Sequence, residues 1–138
     1  GARHTVKGGT GSGDVNTREN IPVEQGLLAA GFEILGGEWL DQFDAELSRA
    51  EKAYMESVER EMEERGVPVH MVLFERPFEE PQAPRIGKKE DARTAVYVLS
   101  RNSGEGKDRE CRKGDYLMTD RELENIRFLA ENYEKTIL

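Results

Sequence analysis

The 138-residue sequence predicts an α/β fold, a three-layer sandwich around a mostly parallel sheet, truncated at both ends. Three observations lead there. Segments of strand character alternate with segments of helical period along the chain. The clearest strand, Thr94 to Leu99, is β-branched and apolar on both faces, as a central parallel strand covered by helices would be. A Gly-rich loop near the start has no complete strand before it, and the last strand has barely begun when the sequence stops.

Taken in order, Lys7 to Asp14 is too rich in glycine for a helix or a stable strand and is expected as a loop. A helix should follow, with Asn20 as N-cap, Pro22 in the first turn and Gly31 as its stop. Its inward residues would be Val23, Leu27, Leu28 and Ala30. Phe32 to Leu35 reads as a short extended piece closed by Gly36-Gly37. The longest helix is expected from about Glu38 to Arg65, stopped by Gly66. Its apolar stripe, Leu40, Phe43, Leu47, Ala50, Tyr54, Val58 and Met62, advances in steps of three or four. Val67 to Phe74 is an apolar run of strand length. Arg76 to Arg93, with Pro77, Pro81 and Pro84, should be a long excursion. After the strand at 94–99 comes a charged loop, Ser100 to Asp115. Thr119-Asp120-Arg121-Glu122 is a capping box that opens a helix to about Glu134, with Leu123, Ile126, Leu129, Ala130 and Tyr133 inward. Lys135 to Leu138 begins another strand.

Composition narrows the function. A net charge of −8 leaves no surplus of Lys and Arg to neutralise phosphates, so nucleic acid and anionic membrane surfaces are disfavoured as partners. No apolar run approaches the roughly 18 residues that span a bilayer, and the expected compartment is the cytoplasm. Cys111 is the only cysteine, and with His4 and His70 it makes no zinc-like spacing. Neither a metal nor an organic cofactor is expected.

Ligands of open α/β sheets bind where strands lead into helices. The Gly-rich loop and the Ser100–Asp115 loop would share that edge. The first is not a phosphate loop, because the Lys-Ser/Thr pair is replaced by Asp14-Val15, and no dinucleotide fingerprint fits its glycines. In the second, Glu105 stands between Gly104 and Gly106, in a turn that lets its carboxyl project, with Arg101, Lys107 and Arg109 nearby. Spacing alone leaves Glu105 either a solvated turn acid or a functional carboxylate.

Both loops resemble a known family. Lys7-Gly8-Gly9-Thr10-Gly11-Ser12-Gly13-Asp14-Val15-Asn16, followed by a helix ending Ala30-Gly31-Phe32-Glu33, looks like the opening of the α/β sandwich domain of bacterial β-glucosidase-like enzymes of glycoside hydrolase family 3. The stretch from Ala95 through Ser100-Arg101-Asn102-Ser103-Gly104-Glu105-Gly106-Lys107-Asp108-Arg109 looks like the strand and loop that bear that domain's catalytic acid. Lys113-Gly114-Asp115-Tyr116 and then Asp120, Glu122 and Asn125-Ile126 continue the similarity.

The resemblance implies a retaining, exo-acting glycosidase acting on terminal sugars, a β-glucoside by default. An Asp attacks the anomeric carbon, and a Glu first protonates the leaving oxygen and then activates water. Glu105 matches that Glu. The nucleophile belongs to a (β/α)₈ barrel domain absent from this chain, so residues 1–138 would be one part of a larger enzyme and inactive alone. The Gly-rich loop would border the sugar through Lys7, Thr10, Ser12 and Asp14, and Arg101 and Arg109 could contact substrate hydroxyls. The competing reading is a carbohydrate-binding or structural α/β module in which Glu105 has no catalytic role. A nucleotide-binding module is weakened by the missing lysine.

Overall fold

The computed structural model describes residues 1–4, 16, 18–101 and 109–138. Its elements, in order, are α1 (Val23–Ala29), α2 (Gly37–Arg65), α3 (Val69–Glu75), β1 (Thr94–Val96), α4 (Asp120–Asn132) and β2 (Lys135–Ile137). Two units form: Gly1–Gly37 with Arg85–Leu138, and Glu38–Pro84.

The expected three-layer sandwich is not what the chain builds. Among the described residues there are four helices and one sheet of two three-residue strands. Two segments read as strands account for the difference. Val67 to Phe74 is helical from Val69, because Pro68 supplies the N-cap and the Met71 amide donates to the Pro68 carbonyl at 3.0 Å. A short apolar run cannot by its period alone be told from a buried helical turn. The proline inside it was the signal for a helix start, since Pro is poorly placed in a central strand. Phe32 to Leu35 pairs with nothing as a strand, and Phe32 is largely exposed. What survives of the expected sheet is one parallel pair, Thr94 opposite Lys135 and Val96 opposite Ile137, extended by the Tyr97 amide donating to the Ile137 carbonyl at 2.9 Å. β1 is not covered on both faces, because Ala95 is buried and Val96 is 43% exposed.

Helix ends fall where glycine dictates. Gly31 (φ 86°) and Gly66 (φ 62°) hold the left-handed conformation in which a side chain is strained. Beyond them Phe32 N donates to Leu27 O at 3.0 Å and Val67 N to Met62 O at 3.3 Å, the six-to-one closure of a Schellman stop. At the start of α1 the cap is Pro22 rather than Asn20. Its expected stripe is only half right, since Val23 and Leu27 are half-buried while Leu28 and Ala30 are exposed.

In the unit from Glu38 to Pro84, every member of the expected α2 stripe is half-buried or buried, and Val58 is wholly buried. Trp39 stacks on Phe43, one turn on, with ring centroids 5.9 Å apart, and its indole N–H donates to Pro84 O at 3.1 Å. The end of α3 is tied to α2 by polar contacts. Tyr54 donates its hydroxyl to Arg76 O at 2.6 Å, and Arg65 bridges Glu61 at 2.6 Å and Glu75 at 2.8 Å. Those pairs are exposed and contribute little to stability. The apolar contacts of Val58 and Val72, both 0% exposed, carry more. Each Val→Ala change should lower the unfolding free energy by about 1–3 kcal/mol, from two lost methyl groups plus the cavity left behind. Urea unfolding followed by helical circular dichroism measures this, and a change of a few tenths at either site would mean that the two valines are not packed.

Candidate functional site

The region of interest is where the chain leaves β1, and it lies wholly within the unit made of 1–37 and 85–138. Glu105 lies outside the described residues, as do Lys7, Thr10, Ser12 and Asp14. Arg101 and Arg109, which flank the stretch holding Glu105, are described.

Downstream of Arg109 the chain closes on itself through short-range backbone bonds. Tyr116 N donates to Glu110 O at 3.2 Å, Leu117 N to Arg112 O at 3.1 Å and Gly114 N to Leu117 O at 2.8 Å. Gly114 permits the turn with φ 84°, and a Cβ there would press within 3.4 Å of Thr119 Cγ2. The turn delivers the chain to Thr119, where the capping box forms as the sequence predicts. Thr119 Oγ1 accepts from Glu122 N at 3.1 Å, and Thr119 N donates to Glu122 Oε2 at 2.7 Å.

The two arginines converge on this frame. Arg101 grips Glu122 with both terminal nitrogens, at 2.9 and 2.6 Å, and its Nε donates to Asp115 O at 2.8 Å. Arg109 donates to Asp115 Oδ1 at 2.8 Å, while Glu110 N donates to Asp115 Oδ2 at 3.0 Å. The sequence suggested both arginines as substrate contacts; the structure directs these donors to Ser100, Asp115 and Glu122. Glu122 was expected as the acid of the capping box, and Asp115 only as a family-like residue. The signal that could have found them is charge arithmetic: a loop with several cations needs nearby acids, and these two stand at the following turn and helix start.

The electrostatics follow from the contacts. The Arg109 guanidinium, then the Glu110 amide, hold the Asp115 carboxyl below the ordinary aspartate range. Burial pushes Glu122 the other way, but the Arg101 guanidinium and the Thr119 amide outweigh it, so its carboxyl also titrates below the usual range. Tyr97, just past β1, is pushed up by burial, with a hydrogen bond from Asn125 opposing the rise. Asn125 is 2% exposed and its Oδ1 accepts from Ile86 N at 3.1 Å. Asn125 was not among the residues expected to face inward, although it stands one turn before Leu129 on the same face.

The N-terminal residues lie at the same strand end. The Gly1 amine donates to Ser100 Oγ at 2.8 Å, and Arg3 is fixed to Glu24 at 2.6 Å. Gly1 therefore stands beside Ser100.

The chain is similar to a β-glucosidase of Ruminococcus albus, with 27% identity over 133 residues. That match takes in 96% of this chain and 13% of the relative, so the chain spans about an eighth of the length of the curated protein it resembles. No family model and no solved structure matches the chain. A relation to glycoside hydrolases is what this likeness supports. No helix among the described residues is long and apolar enough to cross a membrane.

Because the folded-state values of Asp115 and Glu122 are depressed, their stabilisation is present above the unfolded carboxylate values, near pH 4, and is lost as pH falls through the lower folded values. Asp115→Asn and Glu122→Gln should thus melt below the parent at pH 6, and the gap should close towards pH 3. Thermal melts across that range test it; a gap of constant width would show that the two carboxylates are not linked to folding in this way.

Proposed function

We propose that this chain is part of a retaining, exo-acting glycoside hydrolase related to the family 3 β-glucosidases, and that it supplies the general acid/base, Glu105. The observation that carries this reading is the similarity to a β-glucosidase across nearly the whole chain. The arrangement at the end of β1 supports it, since Arg101 and Arg109 bind a common frame on either side of the stretch that holds Glu105.

In the first step the Glu105 carboxyl gives its proton to the glycosidic oxygen as that oxygen leaves. An Asp carboxylate from another domain of the same enzyme, a (β/α)₈ barrel, forms the bond to the anomeric carbon. In the second step the Glu105 carboxylate takes a proton from water, whose oxygen attacks the anomeric carbon and releases the Asp. The two carboxyls must approach to about 5–5.5 Å for this outcome. Lys7, Thr10, Ser12 and Asp14 border the bound sugar in this reading, a β-glucoside being the default substrate. No cofactor takes part. Residues 1–138 alone carry one of the two carboxylates and do not turn over.

The test is Glu105→Ala in the full-length protein that contains this chain, assayed on aryl β-glucosides with and without azide. Loss of the acid should cost about 10²–10⁴-fold on a poor leaving group and far less on a dinitrophenyl leaving group, which departs without protonation. Azide should restore turnover as the glycosyl azide. A small, uniform loss on all substrates would return Glu105 to the role of a surface turn residue.

A further inference from the structure

The stretch 102–108 is entered at Arg101 and left at Arg109, and both flanks are fastened to the same residue. Asp115 accepts Arg101 Nε on its main-chain oxygen at 2.8 Å, Arg109 on Oδ1 at 2.8 Å and Glu110 N on Oδ2 at 3.0 Å. Glu122 holds the other side of the Arg101 guanidinium with both oxygens, while Oε2 also receives Thr119 N at the start of α4. A bidentate guanidinium–carboxylate pair fixes orientation as well as distance. Both acids are largely shielded, with side chains 12% and 14% exposed, so screening by water weakens these pairs less than surface ones.

This geometry is more than a loop needs to close. The turn from Glu110 to Leu117 already has its own backbone hydrogen bonds and the Glu110 amide held by Asp115 Oδ2. The two flanks instead use charged side chains that reach the turn and the helix start. The product is a defined separation and direction for the two ends of the stretch between them. A general acid has to be placed to within a fraction of an ångström, and a shift of about 1 Å can cost 10²-fold in rate.

We infer that Asp115 and Glu122 are positioning residues for the acid/base, acting through Arg109 and Arg101, the residues on either side of the stretch that holds Glu105. The inference rests on the glycosidase reading above. Neither residue touches the substrate, and each acts through an arginine.

Placement of a general acid matters for leaving groups that need a proton and hardly at all for those that do not. Simple destabilisation lowers the amount of active enzyme and scales every substrate equally. The experiment therefore measures kcat/KM of the full-length protein on phenyl and 2,4-dinitrophenyl β-glucosides, for Asp115→Asn, Glu122→Gln and Glu105→Gln, with melting temperatures for each. Glu122→Gln keeps a capping-box acceptor for Thr119 N and removes the bidentate carboxylate, so it decides the matter if Asp115→Asn does not fold. Both positioning variants should lose about 10-fold or more on the phenyl substrate, and less than about 3-fold on the dinitrophenyl one. Equal losses on the two substrates, beside a Glu105→Gln that does discriminate, would overturn the positioning role and leave the glycosidase reading standing. A Glu105→Gln that does not discriminate would remove both.

Discussion

One carboxylate, Glu122, sits where three demands of the fold meet. The first turn of a helix leaves backbone amides without partners and carries a partial positive charge, and an acid at the third helical position answers both. Here the same acid also receives both terminal nitrogens of Arg101, from the far end of β1. Strand end and helix start are thereby joined by a single group. A helix begun in the right place keeps the right face inward, so Asn125, Leu129 and Tyr133 fall along one stripe. From that stripe Asn125 accepts Ile86 N at 3.1 Å and Tyr133 accepts Lys89 N at 2.8 Å, which anchors the irregular chain leading to β1. The strand that follows α4 then pairs with β1 in parallel. Remove the cap, and the register of every one of these contacts is in question.

Short-range features were the legible part of the sequence. The capping box at Thr119, the glycine stops at Gly31 and Gly66 and the stripe of α2 are decided within a few residues, and all stand as the sequence implies. The fold class was not legible, and the reason lies in particular segments. Val67 to Phe74 has the composition of a buried strand, and only Pro68 argues otherwise. Phe32 to Leu35 has strand-like composition but no partner to pair with among the described residues. A strand exists only through a neighbour, and the neighbour is not written in the segment itself. At the candidate site the same division holds. Arg101 and Arg109 were found as cations near a Gly-flanked Glu, yet their partners lie six to twenty-one positions away, beyond any local pattern. Asn125 was missed because a polar residue on an inward face is visible only once the amide it accepts from has been placed.

The two units obtain order by different means. In Glu38–Pro84 a helical stripe of apolar residues is half-buried along α2, and Val58 in that stripe and Val72 in α3 are the best-packed points. In the other unit the buried apolar side chains among the described residues are few, Ala95, Tyr97 and Leu129, and Asp115 and Asn125 are buried polar groups of the same unit. Each of those polar groups has its partners, and that condition keeps polar burial from costing more than it returns. A core of this kind specifies geometry more tightly than it supplies stability, because a hydrogen bond has a direction and an apolar contact does not.

That distinction bears on what the end of β1 can do. An arginine with its donors turned outward would be a ligand for hydroxyls or anions. Arg101 directs donors at Ser100, Asp115 and Glu122, and Arg109 directs one at Asp115, so each also acts as a strut within the protein. A strut is useful only if what it supports must be held still. In sequence, the stretch between the two arginines contains Asp108 and, between Gly104 and Gly106, Glu105. Charged anchors at Arg101 and Arg109 fix the described residues on either side of Glu105. Under the proposed acid/base role, such anchoring would serve proton transfer to a glycosidic oxygen, which depends on where the acid is held.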